Sequence, residues 1–309
     1  MQKIPKEIPS ADGIHTLRGI VYLPEEPKGI LQITHGMAEH IARYDAFMTY
    51  LAENGWIACG HDHLGHGKTA QSKEELGFFA EKNGDLLVCE DTFAFGKAVK
   101  EAFPSLPLVL LGHSMGSFIV RRTVQLYPEV CDALIIMGTG GKNPLSPFGN
   151  ATASLIRTAR GAKHVSKLVN HVAFSSYNNR IESEKEFAWL SRDEKEIEKH
   201  DADPLCTFPF TVSAMRDLIR LQALVNRKSW YADIPKELPI FIVSGAEDPV
   251  GNYGKGVEEV YSSLLAEGVT DVTRKIYPDM RHEILNELGR ETVYEDILSF
   301  LSSQISEIS

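Results

Sequence analysis

Cysteine is scarce in this sequence, basic residues are outnumbered, and long apolar runs are missing. Four cysteines stand in 309 residues, Cys59, Cys89, Cys131 and Cys206, far apart and without a C-x-x-C pair. That spacing suits isolated reduced thiols better than a disulfide framework or a zinc site. No stretch approaches the roughly 18 uncharged apolar residues needed to cross a bilayer, and the opening MQKIPKEIPSADG has no apolar signal core, so cytoplasmic residence is the expectation. Lysine and arginine number 32 against 42 acidic residues, a net charge of -10. Such a balance repels a phosphate backbone and argues against nucleic acid as a partner. What remains is ordinary for a globular protein: 43% hydrophobic and 24% charged residues, in a chain long enough to build a core without staples. Neither repeats nor low-complexity tracts interrupt it, and composition specifies no oligomeric state.

Short β-branched and apolar runs predict strands at 3–8, 14–23, 29–34, 57–61, 108–111, 133–137, 240–243 and 272–276. Helical periodicity falls between most of them, at 41–53, 85–103, 115–126, 256–266 and 290–305. Alternation of this kind predicts a mostly parallel, eight-stranded α/β sheet covered by helices on both faces. The turn signal Ser10-Ala11-Asp12-Gly13 joins the first two runs as an antiparallel hairpin.

The rhythm stops at 140–233, which reads as helices and loops broken by Pro144, Pro147, Pro204 and Pro209. We therefore divide the chain into a core of 1–139 and 234–309 and an inserted helical cap of 140–233. The insertion carries 14 basic and 11 acidic residues, net +3 in an acidic protein. Val165, Leu168, Val169 and Val172 follow i, i+3, i+4, i+7 spacing. Such a stripe either packs on the domain beneath it or forms a lid over an apolar ligand or a membrane surface.

Chemistry enters at Gly112-His113-Ser114-Met115-Gly116, which directly follows a strand and opens a helix. This is G-x-S-x-G in strand-turn-helix context, where a sharp turn projects the serine hydroxyl at the sheet edge and side chains at the glycines would collide with their neighbours. A serine hydroxyl needs a base, and the base needs an acceptor to hold its tautomer. On sheets with this turn the partners follow in the order Ser, acid, His. Among histidines after Ser114, only His282 follows the last strand. Asp248, in Ser244-Gly245-Ala246-Glu247-Asp248-Pro249, is the preferred acid, with Glu247 and Asp279 as competitors. Two backbone N–H donors should stabilise the oxyanion, at about 3 kcal/mol each. Met115 supplies one, and Met37, after the glycine of Thr34-His35-Gly36, supplies the other.

Two further patterns carry less. His61-Asp62-His63-Leu64-Gly65-His66 resembles the H-x-H-x-D-H box of dinuclear metallo-hydrolases, but Gly65 occupies the place of the required Asp. It reads better as a turn whose Asp62 bonds backbone amides. Gly251, Gly254 and Gly256 match neither G-x-G-x-x-G nor G-K-[ST], so no nucleotide is implied. No cofactor and no metal is expected.

Taken together, HGMAEH with Arg43-Tyr44, DHLGHG from Asp62, GHSMG at Ser114, SGAEDPV at Asp248 and RHEILNE at His282 resemble the α/β-hydrolase superfamily, within it the monoacylglycerol lipase and lysophospholipase-like group. The likeness covers nearly the whole chain. It implies a triad of Ser114, Asp248 and His282 with oxyanion donors Met37 and Met115, the same residues reached above. It also implies a cap that forms an acyl-chain tunnel, and Glu39 and Arg43 near the glycerol end of the substrate, two residues equally suited to a structural ion pair. Ser117 stands where the group often has another glycine. The expected partner is a small-molecule ester, with transient membrane contact through the cap. Alternatives with the same residues are an esterase for short-chain, aryl or hydroxycinnamoyl esters, a thioesterase, an aminopeptidase, or a small-molecule receptor on a hydrolase scaffold.

Overall fold

The computed structural model describes residues 1–306. Its eight strands are β1 (Gln2–Pro9), β2 (Thr16–Leu23), β3 (Gly29–Thr34), β4 (Trp56–His61), β5 (Leu108–His113), β6 (Ala133–Met137), β7 (Ile240–Gly245) and β8 (Val272–Tyr277), ordered β1-β2-β4-β3-β5-β6-β7-β8 in one sheet. The β1/β2 hairpin and the β2/β4 pair are antiparallel, and every later pair is parallel. Strands β3 to β7 are buried at every residue. That burial is why they read as continuous apolar runs instead of alternating ones. The chain has the α/β-hydrolase fold.

Helices cover both faces. α1 (Asp45–Glu53) and α10 (Arg290–Ser306) bring Phe47, Met48, Val293 and Ile297 onto one side of the sheet, against Leu31, Ile33 and Leu111. On the other, α2 (Gly84–Lys100), α3 (Met115–Leu126) and α9 (Lys255–Ala266) bring Val88, Ile119, Val120, Val257 and Val260 against Leu110, Leu134 and Ile242. Each fully buried aliphatic side chain of this kind contributes about 1.5 to 3 kcal/mol.

Several boundaries differ from the sequence reading by a few residues. The second strand starts at Thr16, because Asp12 Oδ1 accepts the N–H groups of Ile14 (2.8 Å) and His15 (2.9 Å) and so keeps them in a turn. The helix expected over 41–53 begins as a separate 3-10 turn, Ile41–Tyr44, ahead of α1.

Between β6 and β7 lie α4 (Ser146–Arg160), α5 (Lys167–Phe174), α6 (Glu194–Ala202), α7 (Val212–Val225) and α8 (Lys228–Asp233). This stretch is not uniform. Met215, Leu221 and Val225 of α7 and Trp230 of α8 share one hydrophobic cluster with α2 and α3. Buried Arg121 stacks on Trp230 at 4.3 Å, and the indole N–H donates to the Arg121 carbonyl at 2.7 Å. The stripe on α5 is divided instead: Val169 packs against the cluster, whereas Leu168 and Val172 are 64% and 66% exposed. Packing on the domain beneath therefore accounts for Val169 alone. Among the described residues, no helix is long and apolar enough to cross a membrane.

Candidate active site

Parallel register brings the carboxyl ends of β3, β5, β6, β7 and β8 to one edge, with Thr34 beside Gly112, His113 beside Met137, and Gly245 beside Tyr277. The loops leaving that edge carry Met37, Ser114, Asp248 and His282. Ser114 sits between β5 and α3 with φ 53° and ψ -119°, a backbone region that costs of order 1–3 kcal/mol for a non-glycine residue. Its flanking glycines are required by contact. A Cβ at Gly116 would lie 1.9 Å from the Thr34 carbonyl oxygen, and one at Gly112 would lie 2.3 Å from the Gly116 oxygen. Strand and helix touch there through bare backbone. Ser117, where a further glycine would stand, donates its hydroxyl to the Ser114 carbonyl (2.6 Å) and lies 2.9 Å from the Thr139 hydroxyl.

Asp248 is fully buried, while Glu247 and Asp279 are exposed. Its Oδ1 accepts from His282 Nδ1 at 2.9 Å and from the Val250 N–H at 2.8 Å, and Oδ2 accepts from the Ser244 hydroxyl at 3.1 Å. Burial works to raise its pKa, but His282 and these donors outweigh burial and hold it below the ordinary carboxylate value. With Nδ1 turned toward Asp248, Nε2 is the His282 nitrogen left to accept a proton. His282 is itself buried, its ring 4.7 Å from that of His113, the residue before Ser114, and 5.1 Å from Trp189 of the insertion.

Met115 is the first residue of α3, so its N–H has no intrahelical acceptor. Met37 follows Gly36, where an added Cβ would meet Ser114 Cβ at 3.2 Å. Both candidate donors thus flank the serine.

Glu39 and Arg43 lie in a buried network that sequence reasoning only half anticipated. Arg43 grips Glu283 with two bonds, 2.6 and 2.7 Å, and reaches Glu39 at 3.2 Å. Glu39 Oε1 accepts from the Gly36 N–H (2.5 Å), the Tyr44 hydroxyl (2.9 Å) and His113 Nδ1 (3.1 Å). The geometry is that of the ion pair left open by the sequence. Burial opposes charge on Glu39, yet His113 and Arg43 hold its pKa well below the carboxylate range. Burial likewise opposes charge on His113, and Glu39 more than offsets it. His113 Nε2 lies 3.3 Å from the His282 carbonyl. Both of its ring nitrogens therefore face acceptors, the pattern of a protonated imidazole.

Sequence reasoning assigned no role to His113, Tyr44, Glu283 or Trp189, whose contacts across the site, apart from that of Tyr44 with Glu39, span long separations. Glu283 offered one signal, its place beside His282 in RHEILNE. Trp189 is held over His282 by Asn178, whose side chain accepts the Trp189 N–H (3.0 Å) and donates to the Lys185 and Glu186 carbonyls. Asp62 does bond backbone amides, those of Ile41 (2.8 Å) and Lys68 (2.7 Å). The neighbouring histidine rings pack at tilted angles, His35 against His63 at 4.1 Å and His61 against Phe95 at 4.8 Å.

Residues 25–289 match the family described as serine aminopeptidase, S33 (Hydrolase_4). The chain belongs to that family. Monoglyceride lipase of Mus musculus is 27% identical over 91% of this chain and 84% of its own length. Monoacylglycerol lipase of Mycolicibacterium smegmatis is 26% identical over 92% of each. Among solved structures, a highly thermostable carboxyl esterase from Bacillus coagulans, in complex with glycerol, superimposes with a TM-score of 0.93 at 29% identity, covering 99% of both chains. The protein is a hydrolase of this family, similar to lipases and to an esterase.

Proposed function

We propose that the chain is a serine carboxylic-ester hydrolase that forms an acyl-enzyme on Ser114 and prefers monoacylglycerols or similar single-chain lipid esters. His282 takes the Ser114 proton as Oγ attacks the ester carbonyl, and Met37 and Met115 N–H groups stabilise the oxyanion. The imidazolium gives its proton to the departing alcohol, and water activated by the same nitrogen releases the acid. Asp248 holds the tautomer and stabilises the imidazolium.

One observation carries the substrate class: Met37 and Met115 belong to the same apolar cluster as Val169, Ala173, Phe174 and Phe208 of the insertion. The insertion and the residues proposed as oxyanion donors thus share one apolar cluster, a lining suited to an acyl chain, and the names of the two lipase relatives point the same way. An aminopeptidase needs an unpaired carboxylate for the substrate amine, whereas Glu39 and Glu283 are both occupied by Arg43.

Membrane access through the insertion completes the reading. Residues 140–181 hold six basic and no acidic residues. Phe148 and Leu155 of α4 and Leu168 and Val172 of α5 are exposed by 74%, 73%, 64% and 66%. Basic charge beside exposed apolar side chains suits an anionic lipid surface.

Monoacylglycerols with acyl chains from two to sixteen carbons test the assignment. About 0.8 kcal/mol per buried methylene corresponds to roughly a fourfold gain in kcat/KM per added carbon until the chain is accommodated. A flat or falling series, with faster turnover of aryl esters, thioesters or aminoacyl arylamides, overturns the lipid preference. A single burst without turnover favours a receptor.

A further inference from the structure

The Cys206 side chain, which belongs to none of the motifs above, lies where the insertion meets the core loop of His40. In the turn Asp203-Pro204-Leu205-Cys206, the Cys206 N–H donates to the Asp203 carbonyl at 2.9 Å. This places a carboxylate and a thiol three residues apart on one turn, the spacing by which C-x-x-C turns chelate metals. Asp203 Oδ1 accepts the Leu205 N–H at 2.8 Å, which fixes the carboxylate and leaves Oδ2 facing His40 Nε2 at 2.9 Å. His40 comes from the core loop, 163 residues away in sequence. A nitrogen, an oxygen and a sulfur donor thus lie within 4.8 Å of one another.

We propose that His40, Asp203 and Cys206 form a binding site for a zinc-like divalent cation, which ties the 203–206 turn of the insertion to the core loop carrying Glu39. Imidazole, carboxylate and thiolate together suit Zn2+ or Co2+ and not Mg2+ or Ca2+, which take oxygen ligands. Ligands around a tetrahedral zinc stand roughly 3.3 to 3.8 Å apart, given bonds of about 2.0 to 2.3 Å. The three side chains reach that spacing with sub-ångström to one-ångström shifts, and water fills the fourth position.

Charge nearby permits a cation. Arg43 lies close enough to Cys206 to interact electrostatically, but its guanidinium is engaged by Glu283 and Glu39. The carboxylates of Glu39, Glu283 and Asp203 stand around Arg43 beside the three donors. On binding, the Cys206 S–H bond breaks, its proton passes to the buffer, and a metal–sulfur bond forms; the proton that His40 Nε2 donates to Asp203 leaves through solvent for Nδ1, and the freed Nε2 lone pair and Asp203 Oδ2 each bond the metal. Sequence spacing could not show this cluster, because His40 stands 163 residues from Asp203.

Chelator-treated full-length protein titrated with Co2+ tests the site. The expected result is a thiolate-to-cobalt charge-transfer band that saturates at one equivalent, is displaced by Zn2+, and is absent from Cys206→Ser. Asp203→Asn, on a half-exposed turn that tolerates the change, should keep its circular dichroism and bind about 10- to 100-fold more weakly. Zn2+ should also slow proteolytic cleavage of the insertion in the wild type but not in Cys206→Ser. No charge-transfer band at millimolar Co2+, or an undiminished band in Cys206→Ser, overturns the proposal. None of these readings uses ester turnover, so they stand or fall separately from the hydrolase assignment.

Discussion

The carboxylate of Glu39 accepts the Gly36 N–H at 2.5 Å and so fixes the peptide immediately ahead of Met37. The same oxygen faces Tyr44 and His113, which in turn reaches the His282 carbonyl. One buried carboxylate therefore braces both the candidate oxyanion loop and the loop of the candidate base.

Replacing Glu39 by Gln should consequently act on the chemical step. We expect kcat to fall about 10- to 100-fold with KM little changed, because a displaced donor is felt mainly in the transition state. Steady-state kinetics on a soluble ester check this. A change in KM alone would instead mean that Glu39 contacts substrate in the ground state.

Gly116→Ala tests why the elbow needs glycine. The new Cβ would stand 1.9 Å from the Thr34 carbonyl oxygen, part of a central strand with no freedom to retreat. Destabilisation of about 3 kcal/mol or more is expected in chemical denaturation. An unchanged midpoint would show that α3 shifts freely against β3.

Asp217 on α7 predicts a pH effect with a definite sign. Burial first, and then the neighbouring Asp85 carboxylate, raise its pKa from 3.8 to about 6, although Arg216 and Arg220 counteract. A carboxyl raised in the folded state favours the protonated form, so its penalty is absent below pH 4, grows between about pH 4 and 6, and is constant above. Asp217→Asn should remove that slope and raise stability at pH 7 by about 1 to 3 kcal/mol, read from Tm against pH. An unaltered slope would assign the titration elsewhere.

Much of this architecture is legible in the sequence, and the remainder is hidden for identifiable reasons. Strands β3 to β7 are buried on both faces, so they appear as mainly apolar runs between turn signals, broken in β3 by the buried Gln32. Helix α3 is bounded by Ser114 and a polar tail, and its predicted limits coincide with those observed. The order Ser114, Asp248, His282 follows from the positions of strand ends, and the fold brings the last two to 2.9 Å. By contrast, Arg43 meets Glu283 across 240 residues, and Trp189 lies in a loop without periodicity. No local pattern encodes such contacts. The α5 stripe shows the opposite limit: helical spacing identifies an apolar face but not whether protein, lipid or ligand covers it.

Asp248→Asn should leave the fold intact and lower kcat by about four orders of magnitude, since the amide favours the wrong imidazole tautomer. Retained activity in this variant would shift the acid to Glu247 or Asp279.

Peptide mapping after reaction with a fluorophosphonate tests the central assignment most directly. The wild type should carry one adduct, on Ser114. Ser114→Ala should carry none, while retaining its melting temperature and losing ester hydrolysis. An adduct on a different residue, or full turnover by Ser114→Ala, would contradict Ser114 as the nucleophile.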